Sequence, residues 1–471
     1  MTKQIHFNAF EMNCAAHQSP GLWAHPRDRS WQYKDIEYWT DLAQILERGI
    51  FDGVFIADVI GYYDVYKGNN YHAIEQGAQI PVNDPLQLAV PISMASKHLG
   101  IGITASTTFE HPYTFARRLS TADHLTKGRV GWNIVTSYLN SGARNVGENG
   151  LRRHDDRYEV AEEYLEVLYK LFEGSWEEDA VVRDRERRIF ALPEKVHEIG
   201  HHGKFFDVPG YHLSEPSPQR TPVLYQAGSS GAGKRFAARN AECVFVSSLS
   251  KKLLKAYVAD IRRQAAEAGR DPRKLLVYTL VTVIVDETDE KALAKFSEYQ
   301  RYASYDGALV FMSGWSGVDF GQFAPSDVVK DIPPNAITSM MEEIASDSKA
   351  WSVEELASRG SIGGLGQVFV GSAATVATTL QEWVEETDVD GFNLAYAVAH
   401  ETFEDIVTYL VPELQRRGVY PTAYRPGTLR EKLFGDGPFL PEDHPGSQFR
   451  DIQAVKQQRI GRQPLPRPQH P

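Results

Sequence analysis

A chain of 471 residues that is 42% hydrophobic and 11% aromatic carries enough apolar surface for a large buried core, which excludes a disordered or fibrous protein. Fifty basic against 62 acidic residues give a formal charge of −12 with no basic block, so neither nucleic acid nor an anionic membrane is the expected partner. Two distant cysteines, Cys14 and Cys243, exclude a disulfide framework and a zinc cluster. With no secretory-type leader and no apolar run of about 18 residues, the expected compartment is the cytoplasm, with no membrane span.

Taken in chain order, short apolar runs predict eight strands at 4–10, 54–57, 101–107, 129–135, 223–227, 243–246, 275–285 and 391–396. Amphipathic stretches fall between them, clearest at 157–173, where Val160, Ala161, Tyr164, Leu165, Leu168, Leu171 and Phe172 share one helical face. Similar stripes occur at 35–48, 251–268, 373–387 and 404–417. Strand and helix in alternation predict an α/β protein, a TIM (β/α)8 barrel over residues 1–420, with a doubly wound open sheet as the rival. Three stretches exceed the minimal repeat, at 59–84, 174–221 and 306–370, and connections this long are expected to be lids or pocket walls. The proline-rich remainder, 421–471, is expected to be an arm lying on the surface or on a partner subunit.

Barrel chemistry collects where strands end, and these ends are polar: Cys14 and His17, Asp58, Thr107 and Thr108, Thr136, Ser137 and Tyr138, then Gly228, Ser229 and Ser230. Any one of them could simply mark a strand reaching water, but five together point to a site. The fifth carries the strongest local signal, QAGSSGAGKRFAARNAE: small residues and then a helix start, whose free N–H groups suit a phosphate. Gly228, Gly233 and Lys234 even satisfy G-x-x-x-x-G-K, yet Arg235 stands where a magnesium-binding hydroxyl is needed, so a triphosphate site is rejected. No G-x-G-x-x-G follows a strand. His201 and His202 lack metal-ligand spacing and are expected to be exposed. Cys243 reads as a small core residue, and burial is favoured over catalysis for Cys14, with His17 nearby keeping a functional role open.

NAFEMNC, FDGVFIADV, PVNDP, STTFEHPY, TKGRVGWNIVTSYL, RHDDRYEVAEEYLEV, KVHEIGHHGKFFDVPGYHLSEPSPQRTPVLYQAG, GFNLAYA and VPELQRRGVY run collinearly along the chain. In these segments it resembles the bacterial-luciferase-like flavin monooxygenases, in the branch with nitrilotriacetate, dibenzothiophene-sulfone, long-chain alkane and dimethyl sulfide monooxygenases. The resemblance implies a barrel that holds FMN non-covalently, used as FMNH2 from a separate NAD(P)H-dependent flavin reductase, in a homodimer or homotetramer. It implies Asp58, Thr107, Asn133, Ser137, His154 and Tyr158 around the flavin and Ala227, Gly228, Ser229 and Ser230 at its phosphate.

In the alkane-type pattern, Cys14, His17, Tyr63 and Gln79 match pocket residues, while Tyr138 and Phe311 stand where histidines are found. Phe311 beside Met312 and Trp315 implies a crowded apolar wall, which favours a small neutral substrate. Dimethyl sulfide, oxygenated to methanethiol and formaldehyde, is the expected substrate, with a long-chain alkane or another organosulfur compound as the alternative. His17 is expected to exchange a proton near neutral pH, with Tyr138 or Tyr63 as hydrogen-bond donor. A flavin-binding subunit without chemistry, or a phosphate-binding barrel without flavin, are the readings from other classes.

Overall fold

The computed structural model describes residues 3–228, 230–248, 250–329 and 350–452. Eight parallel strands close on themselves: β1 His6–Met12, β2 Gly53–Ala57, β3 Gly100–Ser106, β4 Val130–Val135, β5 Val223–Ala227, β6 Cys243–Val246, β7 Leu276–Asp286 and β8 Gly391–Ala395. Each pairs with its neighbours in sequence, β1 with β8, and the β6–β7 register Cys243↔Leu276 completes the ring. The strands are buried nearly throughout because helices cover the outside and side chains fill the inside, which is why they read as mostly apolar runs. The expected barrel is therefore the observed one.

β7 is longer than closure needs. Its far half, Val281–Asp286, pairs in parallel with a further strand, Gln367–Ser372, which crosses the end of the third insertion. That strand is only half-buried, although it carries the short apolar run Val368–Val370.

The insertions build a roof. Helices Tyr305–Ser316 and Val353–Gly360 form an apolar cluster with Met12, Cys14, Tyr63 and Tyr66, joining the first and third insertions over the carboxyl end of the barrel. Gly314 makes this contact possible: a Cβ there would sit 1.9 Å from the Tyr63 ring. In the second insertion, His201–His202 pairs with Asp207–Val208. Alternation along that hairpin turns His201 inward, against Lys170 Nζ at 2.9 Å and Glu163 at 3.2 Å, and leaves only His202 exposed, correcting the expectation of two surface histidines.

The arm is also not where it was expected. Helix Leu429–Phe434 seals the amino end of the barrel, with Leu429 and Leu433 packed among Phe55, Tyr225, Phe245 and Tyr278. Arg430 behind them is 1% exposed and pairs with Glu242 at 2.7 Å and 2.8 Å, while also donating to Thr221 O and Pro438 O. Proline spacing hides one short helix whose two leucines face inward; residues 453–471 lie outside the described residues.

Candidate active site

A cavity of about 350 Å3 opens at the carboxyl end. All eight strands reach it, through Met12, Ala57, Thr104, Asn133, Ala227, Val246, Leu280 and Asn393, and its upper wall is His17, Gln79, Tyr138, Trp315 and Leu365. Of the residues singled out from sequence, His17, Asp58, Gln79, Asn133, Tyr138 and Ala227 line it.

Two asparagines in otherwise apolar strands face this space. Asn133 donates from Nδ2 to Thr104 Oγ1 at 2.9 Å, but its Oδ1 and that of Asn393 are buried with no partner. An unmet buried acceptor costs roughly 1–3 kcal/mol, so two beside one cavity are candidate acceptors for a ligand's donors. Asn393 escaped the sequence reading although the same signal, an amide inside GFNLAY, was present.

Asp58 stands at the cavity edge, its carboxyl pushed up to about 7 by burial and then by the charge of Asp84. Burial pushes the His17 imidazole down to about 3, so the expected proton exchange near neutrality is corrected: His17 stays neutral, with Nδ1 unpartnered. Cys14 and Tyr63 are not on the cavity surface but behind it. Burial, reinforced by Glu11, holds the Cys14 thiol far above its ordinary value, and its Sγ lies 3.5 Å from Ala16 O, so it offers no thiolate.

Tyr63 nevertheless controls the wall. Its hydroxyl contacts Gln79 Oε1 at 2.8 Å, the Tyr138 hydroxyl at 2.6 Å and Trp315 Nε1 at 3.0 Å. Tyr138 is 46% exposed, yet desolvation by the surrounding wall pushes its phenol up, against the pull of Tyr63 and Trp315, so both tyrosines stay protonated at neutral pH.

A second group gathers where β5 leaves the cavity. Ser230 caps helix Gly231–Asn240, its Oγ accepting from Gly233 N at 3.0 Å, with His154 Nε2 at 3.4 Å. A Cβ on Gly233 would come within 2.8 Å of the Tyr158 hydroxyl, so glycine lets Tyr158 cover this helix start. Tyr257 donates to Gly228 O at 2.8 Å. Lys234 pairs with Asp260 at 2.5 Å, as befits a helix start that is no triphosphate loop. Ser137, at φ 59°, places Oγ 2.8 Å from Ser106 Oγ, and its carbonyl accepts from Arg157. Thr107 is tied back to Val135 O and does not line the cavity, and Ser229 lies outside the described residues. Among the described residues no cluster of His, Cys, Asp and Glu is arranged for a metal ion, and no helix is long and apolar enough to cross a membrane.

The sequence profile of the luciferase-like monooxygenases matches residues 9–391. The chain belongs to that family. This monooxygenase is 47% identical over 470 residues to the dimethyl-sulfide monooxygenase of Hyphomicrobium sulfonivorans, covering 99% of this chain and 98% of that one. The crystal structure of the Hyphomicrobium protein matches with a TM-score of 0.92. Identity is also 47%, over 455 residues, with the long-chain alkane monooxygenase of Geobacillus thermodenitrificans, covering 96% of this chain and all of the relative. A crystal structure of long-chain alkane monooxygenase matches with a TM-score of 0.88. A riboflavin lyase crystallised with modified FMN and riboflavin is 33% identical, covers 95% of this chain and 99% of its own, and has a TM-score of 0.88. Two relatives acting on different substrates stand at the same identity, so identity alone does not choose between them.

Proposed function

We propose that this monooxygenase uses FMNH2, delivered by a separate NAD(P)H-dependent flavin reductase, to oxygenate a small apolar molecule, with dimethyl sulfide as the favoured substrate. The observation that carries the reading is the cavity itself. It has an apolar wall, two unpartnered asparagine acceptors, and a capped helix start three residues beyond its strand-5 edge. These residues fit FMN: Asn133 and Asn393 would accept from the N–H edge of the ring, and Ser230, the Gly231–Gly233 turn, His154 and Tyr158 would hold the phosphate.

Bound reduced FMN supplies the two electrons that divide O2 between substrate and water. For dimethyl sulfide the sum is CH3SCH3 + O2 + FMNH2 → CH3SH + HCHO + H2O + FMN. The protein's part is to orient and to keep water out. Met12, Val246, Leu280 and Trp315 supply a dry wall, and neutral His17 adds no charge to it. Asp58, protonated below about pH 7, presents a hydroxyl at the cavity edge. At about 350 Å3 the cavity is at the low end for ligand sites, which favours a small substrate sharing it with a ring system. A long-chain alkane is the second reading, supported by the equal identity of the alkane relative.

Titration of the purified protein with FMN and with FMNH2 tests the cofactor, since tight binding of neither refutes it. Oxygen uptake with an added reductase, comparing dimethyl sulfide, longer sulfides and hexadecane, tests the substrate. Turnover of hexadecane without turnover of sulfides overturns the preference.

A further inference from the structure

The hydrogens of this wall can be assigned by elimination. Gln79 is 6% exposed and donates from Nε2 to the carbonyl of His17 at 3.0 Å. A carbonyl can only accept, so the amide cannot be flipped, and Gln79 Oε1 faces the Tyr63 hydroxyl at 2.8 Å as an acceptor. Tyr63 has one hydroxyl hydrogen, and Gln79 Oε1 claims it. The indole N–H of Trp315 donates to Tyr63 at 3.0 Å, occupying one lone pair. The Tyr138 hydroxyl, 2.6 Å away, can then meet Tyr63 only as a donor.

We infer that Trp315, Tyr63 and Gln79 are positioning residues that turn the Tyr138 hydrogen away from the cavity, so that Tyr138 presents a lone pair to the substrate. This reverses the expectation that Tyr138 or Tyr63 acts as a donor. The backbone supports a selected arrangement: Gln79 is held at φ 54°, a left-handed conformation costly for a side chain, and its N–H is tied to Ala16 O at 3.1 Å.

The consequence concerns substrate class, and this part rests on the monooxygenase reading above. A molecule whose exposed group only accepts hydrogen bonds, such as a sulfoxide, sulfone or ketone, meets a lone pair at Tyr138 and is disfavoured. A molecule with no polar group is tolerated. A molecule bearing O–H is favoured, and that includes the hydroxylated carbon that C–H oxygenation of a sulfide or alkane creates. The wall therefore fits carbon oxygenation of an apolar substrate better than further oxidation at an already oxygenated sulfur.

Neutron diffraction from deuterium-exchanged crystals reads the hydrogens directly. The Tyr63 deuteron is expected toward Gln79 Oε1 and the Tyr138 deuteron toward Tyr63; a Tyr138 deuteron in the cavity overturns the inference. In solution, the 15N-indole signal of Trp315 in the full-length protein can be titrated with 2-propanol and acetone, which are close in shape. 2-Propanol is expected to bind about tenfold tighter, the worth of one hydrogen bond. Equal affinities overturn the assignment. The preference should vanish in Tyr138→Phe, which removes the lone pair, and shrink in Gln79→Leu, which frees the Tyr63 hydrogen; a preference unchanged in Tyr138→Phe also overturns it. If the probe preference holds but dimethyl sulfide is not turned over, the substrate reading fails and the hydrogen order stands.

Discussion

The two ends of this barrel differ in what their central buried polar groups meet: a buried ion pair at one, unpaired amides beside a cavity at the other. At the amino end, Arg430 and Glu242 are removed from water, and every guanidinium nitrogen donates, to the carboxylate or to the carbonyls of Thr221 and Pro438. Burial alone would raise the Glu242 carboxyl; the Arg430 charge overrides it and holds the pKa below its ordinary value. At the carboxyl end, Asn133 Oδ1, Asn393 Oδ1 and His17 Nδ1 are equally buried and have no partner. The Arg430–Glu242 pair fastens a plug, although Tyr278 Oη in the same cluster has no partner, whereas the unpaired amides beside the cavity are candidate acceptors for a ligand.

The largest effect should come from breaking the ion pair. Arg430→Ala leaves Glu242 charged and unpaired in the core, and urea unfolding should show a loss of about 3–5 kcal/mol, most of it recovered when Glu242 is also replaced by an apolar residue. Oxygenation per folded molecule should hardly change, because the site lies at the other end. An activity loss without a stability loss would break the comparison.

Next is the roof. Gly314→Ala drives a methyl into Tyr63, with an expected stability cost of about 1–3 kcal/mol and a fall in turnover as the Tyr63–Gln79–Tyr138 contacts shift. Thermal melts paired with oxygen uptake check both parts.

A pH-dependent effect concerns Asp58. The folded protein keeps this proton up to about pH 7, whereas an unfolded aspartate loses it near pH 4. The folded state binds more protons across that window, so this group's contribution to stability declines as pH rises from about 4 to about 7. Asp58→Asn should be relatively more stable than the parent at pH 8 than at pH 4, measured by urea midpoints. The same difference at both pH values would contradict the shift.

Smallest is the cap. Ser230→Ala removes the bond to Gly233 N and should cost about 1 kcal/mol of stability while weakening FMN binding measurably. Unchanged FMN affinity would remove Ser230 from the phosphate site.

All eight barrel strands were legible because each is buried on both faces and so is mostly apolar. The strand Gln367–Ser372 carries a similar short run, Val368–Val370, but lies at the end of a glycine-rich stretch read as an insertion and pairs with one neighbour only. The arm misled for a related reason: Leu429 and Leu433 are two residues in a proline-rich stretch, and what they seal comes from strands some 150 to 370 positions earlier.

The site divides along the same line. Strand-end position pointed to His17, Asp58 and Tyr138, and the family resemblance added Gln79, Asn133 and Ala227; all six line one cavity. Which of them are charged was not legible, because burial decides it: desolvation keeps His17 neutral and Cys14 a thiol, and no spacing records desolvation. The sequence by itself determined the barrel and its family, since periodicity and motifs are local properties of the chain. Only the tertiary structure decided the plug, the inward turn of His201 and the direction of the Tyr138 hydrogen. Each depends on partners distant in sequence, and a hydrogen bond's direction is fixed only when all its neighbours are counted together.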